Sequence, residues 1–273
     1  MRFFAFPENK TMKHPDFQKM KAEGQKISVV TVYDYTSAKI VNSSQIDCLL
    51  VGDSLGMTMH GFRDTLSVTT ELMAIHTAAV SRGAPDKFIV ADMPFLTFRK
   101  GIPAALDCVT ELVRAGAHAV KLEGVDGHED VIRAIVESGV PVMGHLGMTP
   151  QSIHQLGGYR IQAKTIDATK VLLNQALRLE KAGCFAMVLE LMSTKAAREV
   201  SRKLRIPTIG IGAGPDTDGQ VLVFQDVLGL NPDFNPRFVR RYLKGAKLVG
   251  GAIDNFHTDV RSGAYPSAEE SYP

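Results

Sequence analysis

Short apolar runs rich in valine, isoleucine and leucine recur along the chain, and most of them stop at a glycine or a charged residue. Runs of this kind are typical of strands that are buried on both faces, as in a parallel sheet. The pattern predicts eight strands, at Ile27–Tyr33, Cys48–Asp53, Phe88–Met93, Ala119–Glu123, Pro141–His145, Ala186–Glu190, Pro207–Ile211 and Val221–Gln225.

Segments with helical periodicity lie between these strands, and several end at a glycine that marks a helix C-terminus. A polar helix at about 11–24 precedes the first strand, and helices at about 236–261 follow the last one. The link between the seventh and eighth strands is short for a helix, so we expect the helix there to be truncated. The helices between strands are predicted at Thr36–Ser44, Thr70–Arg82, Pro103–Arg114, Glu129–Glu137, Asp167–Lys181 and Thr194–Lys203.

The alternation of strands and helices determines the predicted fold class. It implies parallel pairing with right-handed crossovers, and eight such units close into a (β/α)₈ barrel, the TIM barrel. We therefore predict an α/β protein in which residues 1–273 form a single barrel domain. A doubly wound open sheet is the alternative, but such sheets usually carry a Gly-x-Gly turn after the first strand, and Asp34-Tyr35-Thr36 stands there instead.

Polar side chains follow the ends of several predicted strands. Residues 115–123 and 182–190 repeat one arrangement, because each segment opens with Ala-Gly and closes with Leu-Glu, at Glu123 and Glu190. In a strand, alternate side chains share a face, so Lys121 and Glu123 point the same way. In a barrel, all of these strand ends would meet at the face where such barrels keep their active sites.

Asp53, Asp92 and Glu123 end three consecutive predicted strands. Three carboxylates within a few ångströms cannot all stay ionised without a cation, and their hard oxygen atoms suit Mg²⁺. The alternative is that each acid caps a strand or pairs with Lys121 or an arginine. That alternative is the better explanation for any single acid, whereas three in succession favour a metal.

Four further residues near the strand ends are candidates for substrate contact or catalysis. Lys121 either forms a salt bridge or holds an anionic substrate group. His145 lies between glycines that let a ligand approach, which favours a functional role over a structural one. Glu190 is separated from the three acids by the fifth strand and could act across the substrate as a general base. Ser54 offers a hydroxyl or N–H group to an anion, or is simply a turn residue.

Composition excludes several classes of protein. The formal net charge of +2 is too balanced for a nucleic-acid or membrane-surface partner, and no apolar run approaches the roughly 18 residues of a membrane span. The apolar part of the N-terminus is too short for a secretory signal. Cys48, Cys108 and Cys184 are dispersed in apolar surroundings, which predicts reduced thiols in a cytoplasmic protein.

Longer motifs surround the polar strand ends. They are VGDSLGM at 51–57, HTAAVSRGA at 76–84, ADMPF at 91–95, VKLEG at 120–124, GHLGMTPQS at 144–152, GGY at 157–159 and IGIGAG at 209–214. Together they resemble the ketopantoate hydroxymethyltransferase (3-methyl-2-oxobutanoate hydroxymethyltransferase) family, from about Thr11 to near the C-terminus. The chain departs from the family pattern at Glu270, where a histidine is common, and at Ala163-Lys164, where Gly-Arg is often found.

The resemblance implies a barrel of the phosphoenolpyruvate/pyruvate superfamily and a specific reaction. A hydroxymethyl group would pass from 5,10-methylenetetrahydrofolate to 3-methyl-2-oxobutanoate through a Mg²⁺-stabilised enolate, giving 2-dehydropantoate for pantothenate synthesis. The resemblance also implies a homo-oligomer, often a decamer. By this resemblance the metal residues are Asp53, Asp92 and Glu123, the oxo acid contacts are Asp53, Ser54, Asp92, Lys121 and His145, and the base is Glu190.

A carbon–carbon bond lyase of the isocitrate lyase/PEP mutase type is the alternative function. Enzymes of that type use a cysteine on a mobile loop as an acid. None of the three cysteines falls on a predicted loop at the catalytic face, which disfavours this alternative.

Overall fold

Eight parallel strands, each paired with the next one in the chain, close into a barrel in the computed structural model, which describes residues 12–272. This confirms the predicted (β/α)₈ architecture. The N-terminal segment considered as a signal, and Thr11 of the predicted first helix, lie outside the described residues. The strands are β1 Ile27–Thr31, β2 Cys48–Val51, β3 Phe88–Asp92, β4 Ala119–Glu123, β5 Val142–Gly147, β6 Ala186–Glu190, β7 Thr208–Ile211 and β8 Gly219–Val223.

Helices connect most of the strands, and polar N-caps explain where several of them begin. The side chains of Asp34, Thr69, Thr165 and Ser193 each accept a hydrogen bond from a backbone N–H of the first helical turn. The helices are α1 His14–Ala22, α2 Tyr35–Asn42, α3 Leu55–Thr58, α4 Thr70–Gly83, α5 Ile102–Arg114, α6 Glu129–Glu137, α7 Ile153–Leu156, α8 Ile166–Lys181, α9 Thr194–Lys203, α10 Phe224–Val227 and α11 Gly245–Ser262, with 3₁₀ turns at Thr97–Arg99, Pro150–Ser152 and Ala268–Glu270.

The structure differs from the predicted elements in two places near the end of the barrel. Residues 212–218 contain no helix, so the helix expected to be truncated is missing altogether. β8 begins at Gly219, earlier than predicted, because the backbone there packs closely on β1. A Cβ at Gly219 would lie 2.4 Å from the carbonyl oxygen of Ile27, and only glycine avoids that contact.

The C-terminal region forms one long helix, α11, where two helices were predicted. Residues 236–244 are not helical. The Arg241 guanidinium donates to the carbonyl oxygens of Asn231, Pro232 and Phe234, and these bonds hold the preceding segment as a loop.

The described chain divides into two compact units, with the boundary between Leu222 and Val223. The first unit contains the barrel up to Leu222, and the second contains α10 and α11. The single-domain assignment therefore stays a prediction. Among residues 12–272, no helix combines the length and the apolar character needed to cross a membrane.

The barrel interior changes from apolar to polar along the strands. Its apolar layer includes Val90 of β3, Ala119 of β4, Met143 of β5 and Val188 of β6. Phe17 of α1 joins this layer, and its ring meets the rings of Phe88 and Phe185 edge-on at centroid distances of 5.5 and 5.1 Å. The next interior positions along the same strands, two residues on, are Asp92, Lys121, His145 and Glu190. The fold thus places a layer of ionisable groups directly above a dry core.

We predict that Phe17→Ala destabilises the protein by about 3–5 kcal/mol, because it opens a cavity under the apolar layer of the barrel. Urea unfolding measures this change. Ile166→Ala is the matched control, since Ile166 is 70% exposed, and it should change stability by less than about 0.5 kcal/mol. Equal stabilities of the two variants would contradict the packing role of Phe17.

Candidate active site

The predicted site residues of β2 to β6 meet at the C-terminal rim of the barrel. Asp92, Glu123 and Glu190 are the last residues of their strands. Lys121 and His145 each lie two residues before the end of theirs, β4 and β5. The side chains are buried, with exposures of 2–4% for Asp53, Asp92, Lys121, Glu123 and His145. The convergence expected from the strand ends is therefore present.

Lys121 supplies the positive charge at the centre of this group. Its Nζ lies 3.1 Å from Oδ1 of Asp92 and 3.2 Å from Nδ1 of His145. Burial alone would lower the pKa of Lys121, but the carboxylates of Asp92, Glu123 and Asp53 outweigh burial and raise it. The ammonium group consequently stays charged and offsets the charge of the acids around it.

His145 lies between two glutamates. Its Nδ1 is 3.5 Å from Oε1 of Glu123, and its Nε2 is 3.2 Å from Oε2 of Glu190. Burial and Lys121 lower the pKa of His145, but Glu123 and Glu190 outweigh them and raise it to about 9. In the charged ring both nitrogens face a glutamate; in the neutral ring Nδ1 accepts from Lys121 and the proton on Nε2 faces Glu190. Nε2 is at ion-pair distance from Glu190 but makes no hydrogen bond within residues 12–272.

Glu190 is the most open member of the group, because its side chain is 21% exposed. It is the last residue of β6, across β5 from the acids of β3 and β4. A carboxylate in this position can reach a ligand bound by the buried side chains of the site.

Gln151 is a member of the site that the sequence analysis missed. Its Nε2 donates to Oδ2 of Asp53 at 2.8 Å and to the carbonyl oxygen of Met93 at 2.9 Å, and its backbone N–H donates to Oε2 of Glu123 at 3.0 Å. The residue lies in the 3₁₀ turn after β5. The only signal for it in the sequence is its place within the GHLGMTPQS motif, just beyond a strand end.

Ser54 is held by a short chain of hydroxyl groups. The Tyr33 hydroxyl accepts from Oγ1 of Thr31 at 2.9 Å and lies 2.7 Å from Oγ of Ser54. Burial raises the pKa of Tyr33 to about 12, so the phenol keeps its proton. Either hydroxyl can donate to the other, and the Ser54 hydroxyl is held in a fixed position beside the carboxylates.

The loop after β5 is tied to the segment that follows Glu190. The backbone N–H of Gln162 donates to the carbonyl oxygen of Leu191 at 2.8 Å, and Oγ of Ser193 donates to that of Ala163 at 2.7 Å. Ala163 has a φ of +49°, a conformation that costs an alanine roughly 1–2 kcal/mol. A glycine would adopt it without that cost.

The three predicted metal residues do not form one ligand set. Within residues 12–272, no three His, Cys, Asp or Glu side chains are grouped closely enough to hold a metal ion. Glu123 is instead engaged by Gln151 and His145. The metal assignments of Asp53, Asp92 and Glu123 therefore stay predictions.

Asp53 and Asp92 nevertheless fit a divalent cation. The backbone N–H of Asp53 donates to Oδ2 of Asp92 at 3.0 Å, whereas the buried Oδ1 of Asp92 accepts no hydrogen bond, despite its ion-pair distance to Lys121. Burial, Asp92 and Glu123 raise the pKa of Asp53 well above its usual range. Two hard carboxylates completed by water and substrate oxygens are a set that Mg²⁺ accepts.

Comparison with known proteins identifies relatives over nearly the whole chain. A family model described as ketopantoate hydroxymethyltransferase matches residues 11–268. The 3-methyl-2-oxobutanoate hydroxymethyltransferase of Bdellovibrio bacteriovorus is 53% identical over 257 residues, covering 94% of this chain and 98% of the relative. Those of Francisella tularensis subsp. novicida and Coxiella burnetii are each 51% identical, covering 94% of this chain and 97% of the relative.

Solved structures with the same architecture are more distant. A 2,3-dimethylmalate lyase of the PEP mutase/isocitrate lyase superfamily has a TM-score of 0.61 at 18% identity, covering 95% of this chain and 92% of that chain. A phosphonopyruvate hydrolase complex with oxalate and Mg²⁺ has a TM-score of 0.61 at 12% identity, covering 94% and 92%. These likenesses show the barrel fold alone.

We predict that Lys121→Met destabilises the protein by about 3–5 kcal/mol at neutral pH, because it leaves the buried carboxylates without their counter-charge. The loss should shrink as the pH falls, since protonated carboxyl groups need no counter-charge. Urea unfolding at several pH values measures it. Lys195→Met, on the exposed face of α9, is the control and should have almost no effect; a similarly small loss for Lys121→Met would refute the charge balance described above.

Proposed function

The chain belongs to the ketopantoate hydroxymethyltransferase family, and we propose that it transfers a hydroxymethyl group from 5,10-methylenetetrahydrofolate to 3-methyl-2-oxobutanoate, giving 2-dehydropantoate. One observation carries the proposal at the level of the site. A buried layer of acids and one lysine underlies a single more exposed glutamate at the barrel rim, an arrangement suited to holding a small oxo acid and removing one of its protons.

We propose Asp53 and Asp92 as the ligands of Mg²⁺, with Glu123 beside them. The support is the buried Oδ1 of Asp92, which pairs with the ammonium group of Lys121 at 3.1 Å but accepts no hydrogen bond, and the number of carboxylates gathered around that one lysine. When bound, Mg²⁺ would supply positive charge to the keto and carboxylate oxygens of the oxo acid and stabilise the negative charge that develops on proton loss.

The oxo acid would be oriented by groups that already have fixed partners. Lys121 offers positive charge to the substrate carboxylate, and Asp92 and His145 hold its ammonium group in place. Ser54 offers its hydroxyl group to a substrate oxygen, and the Tyr33 hydroxyl 2.7 Å away holds it in position. A preorganised arrangement of this kind costs little rearrangement when the substrate binds.

Glu190 is the proposed base. Its carboxylate takes the proton from C3 of the oxo acid, and the imidazole of His145 lies beside it, with Nε2 at 3.2 Å from Oε2. The C–H bond breaks, and its electron pair forms the new bond from C3 to the one-carbon unit. Both bonds from that carbon to the folate nitrogens break, and the two nitrogens take up the proton held by Glu190 and one proton from water as tetrahydrofolate leaves. Water supplies the hydroxyl oxygen of the transferred group.

A carbon–carbon lyase reaction is the second candidate, and only the shared fold favours it. Cys48, Cys108 and Cys184 are all buried free thiols. Burial raises the pKa of each of them, so they are poor candidates for an exposed loop acid. Buried reduced thiols also support our expectation that the protein acts in the cytoplasm.

We further propose that the protein is a homo-oligomer. The helix α11 carries large apolar side chains on one face that are about half exposed or more: Leu248, Val249, Ile253, Phe256 and Val260. A row of this size on a helix surface usually marks a contact with another protein chain. Light scattering coupled to gel filtration should give a mass well above the 29.7 kDa of one chain, and Ile253→Asp should lower it. A monomeric mass for the unaltered protein would contradict the proposal.

The reaction is tested by supplying 3-methyl-2-oxobutanoate in D₂O and following the C3 proton by NMR. We expect exchange with Mg²⁺ alone, and 2-dehydropantoate once methylenetetrahydrofolate is added. Glu190→Gln should slow exchange by about 10²–10⁴-fold while Mg²⁺ binding, measured by calorimetry, is unchanged, because only the base is lost.

Asp92→Asn is the complementary variant, because it should weaken Mg²⁺ binding itself. Together the two variants separate the loss of the base from the loss of the metal. Undiminished exchange in Glu190→Gln would eliminate Glu190 as the base. Mg²⁺ affinity that is unaltered in Asp92→Asn would eliminate the metal assignment.

A further inference from the structure

The side chain of Gln151 connects two of the strand ends that form the site, and its backbone connects a third. Its Nε2 donates to Oδ2 of Asp53, beyond β2, and to the carbonyl oxygen of Met93, beyond β3. Its backbone N–H donates to Oε2 of Glu123, at the end of β4. One residue from a loop thus contacts three neighbouring elements.

These contacts determine the orientation of the Gln151 side-chain amide, that is, which positions Nε2 and Oε1 occupy. Both hydrogens of Nε2 have an oxygen acceptor, and a rotation of the amide by 180° would set Oε1 against two oxygen atoms. The remaining atom, Oε1, is buried and has no hydrogen-bond partner within residues 12–272. A buried acceptor left without a donor usually faces a water molecule, an ion or a ligand.

A purely structural role of Gln151 would require fewer hydrogen bonds than it makes. The backbone bond to Glu123 and the bond to the carbonyl oxygen of Met93 already attach the turn to the barrel. The third bond, at 2.8 Å, is a charge-assisted contact with a carboxylate, and it occupies one oxygen of Asp53 while leaving the other for a cation.

We propose that Gln151 is a positioning residue for the divalent cation, which it serves by holding the carboxylate of Asp53 in the orientation that receives the metal. The inference rests on the proposed function, since that function makes Asp53 a metal ligand. Groups that orient metal ligands typically contribute 10- to 100-fold to metal affinity. The cation site then depends on the loop after β5 as well as on the strands.

Two variants test the inference. Gln151→Met keeps the volume of the side chain and removes both amide bonds. Gln151→Asn keeps an amide but shortens the arm by about 1.5 Å, so that it no longer reaches Asp53. Both keep the backbone bond to Glu123. Gln155→Met, at an exposed glutamine in α7, is the matched control.

The measurement is Mg²⁺ affinity in the absence of the oxo acid, by calorimetry and by competition with Mn²⁺ followed by electron paramagnetic resonance. We expect Gln151→Met and Gln151→Asn to bind Mg²⁺ about 10- to 100-fold more weakly than the unaltered protein. Gln155→Met should stay within about twofold of it. Circular dichroism at the same temperature establishes that each variant is folded, and Gln151→Asn decides the matter if Gln151→Met does not fold.

The possible outcomes separate this inference from the proposed function. A lowered melting temperature with unchanged Mg²⁺ affinity in the Gln151 variants would show a structural role only and would overturn the inference alone. Absence of both Mg²⁺ binding and Mg²⁺-dependent C3 exchange in the unaltered protein would overturn the proposed function, and the inference with it.

Discussion

The positive charge of Lys121, buried among carboxylates, is the interaction on which the rest of the site depends. An ammonium group taken out of water is destabilising by several kcal/mol unless nearby charges compensate it, and the same holds for each acid around it. Lys121 is 4% exposed and Asp92 is 3% exposed, so neither can rely on solvent. Acids still outnumber the lysine in this layer, which leaves room in the charge balance for a divalent cation.

Barrel closure brings these charges together without any long polar run in the chain. Strands β3 to β6 each contribute one apolar interior residue below and one ionisable residue above, as Met143 and His145 do in β5. Phe17 joins the apolar layer below. The apolar layer excludes water beneath the site, and this strengthens every electrostatic interaction above it.

Loop residues complete the site whose charged groups the strands provide. Asp53 lies two residues beyond the end of β2, and its position is set by its backbone bond to Asp92 and by the side chain of Gln151. Gly147 permits the turn that carries Gln151, since it has a φ of +99° and a Cβ there would lie 2.2 Å from the carbonyl oxygen of Glu190. The strands therefore supply the charged side chains, whereas the loops determine which carboxylate oxygens of those side chains remain available to a ligand.

The sequence by itself determined the strands, most of the helices, the barrel and the rim where the ionisable groups meet. Those features follow from periodicities of two and 3.6 residues, which are local properties of the chain. Only the tertiary structure decided that Glu123 contacts His145 and Gln151, and that residues 212–218 and 236–244 form no helix. These outcomes depend on contacts between residues far apart in the chain, such as Gln151 with Asp53, and no local pattern records such contacts.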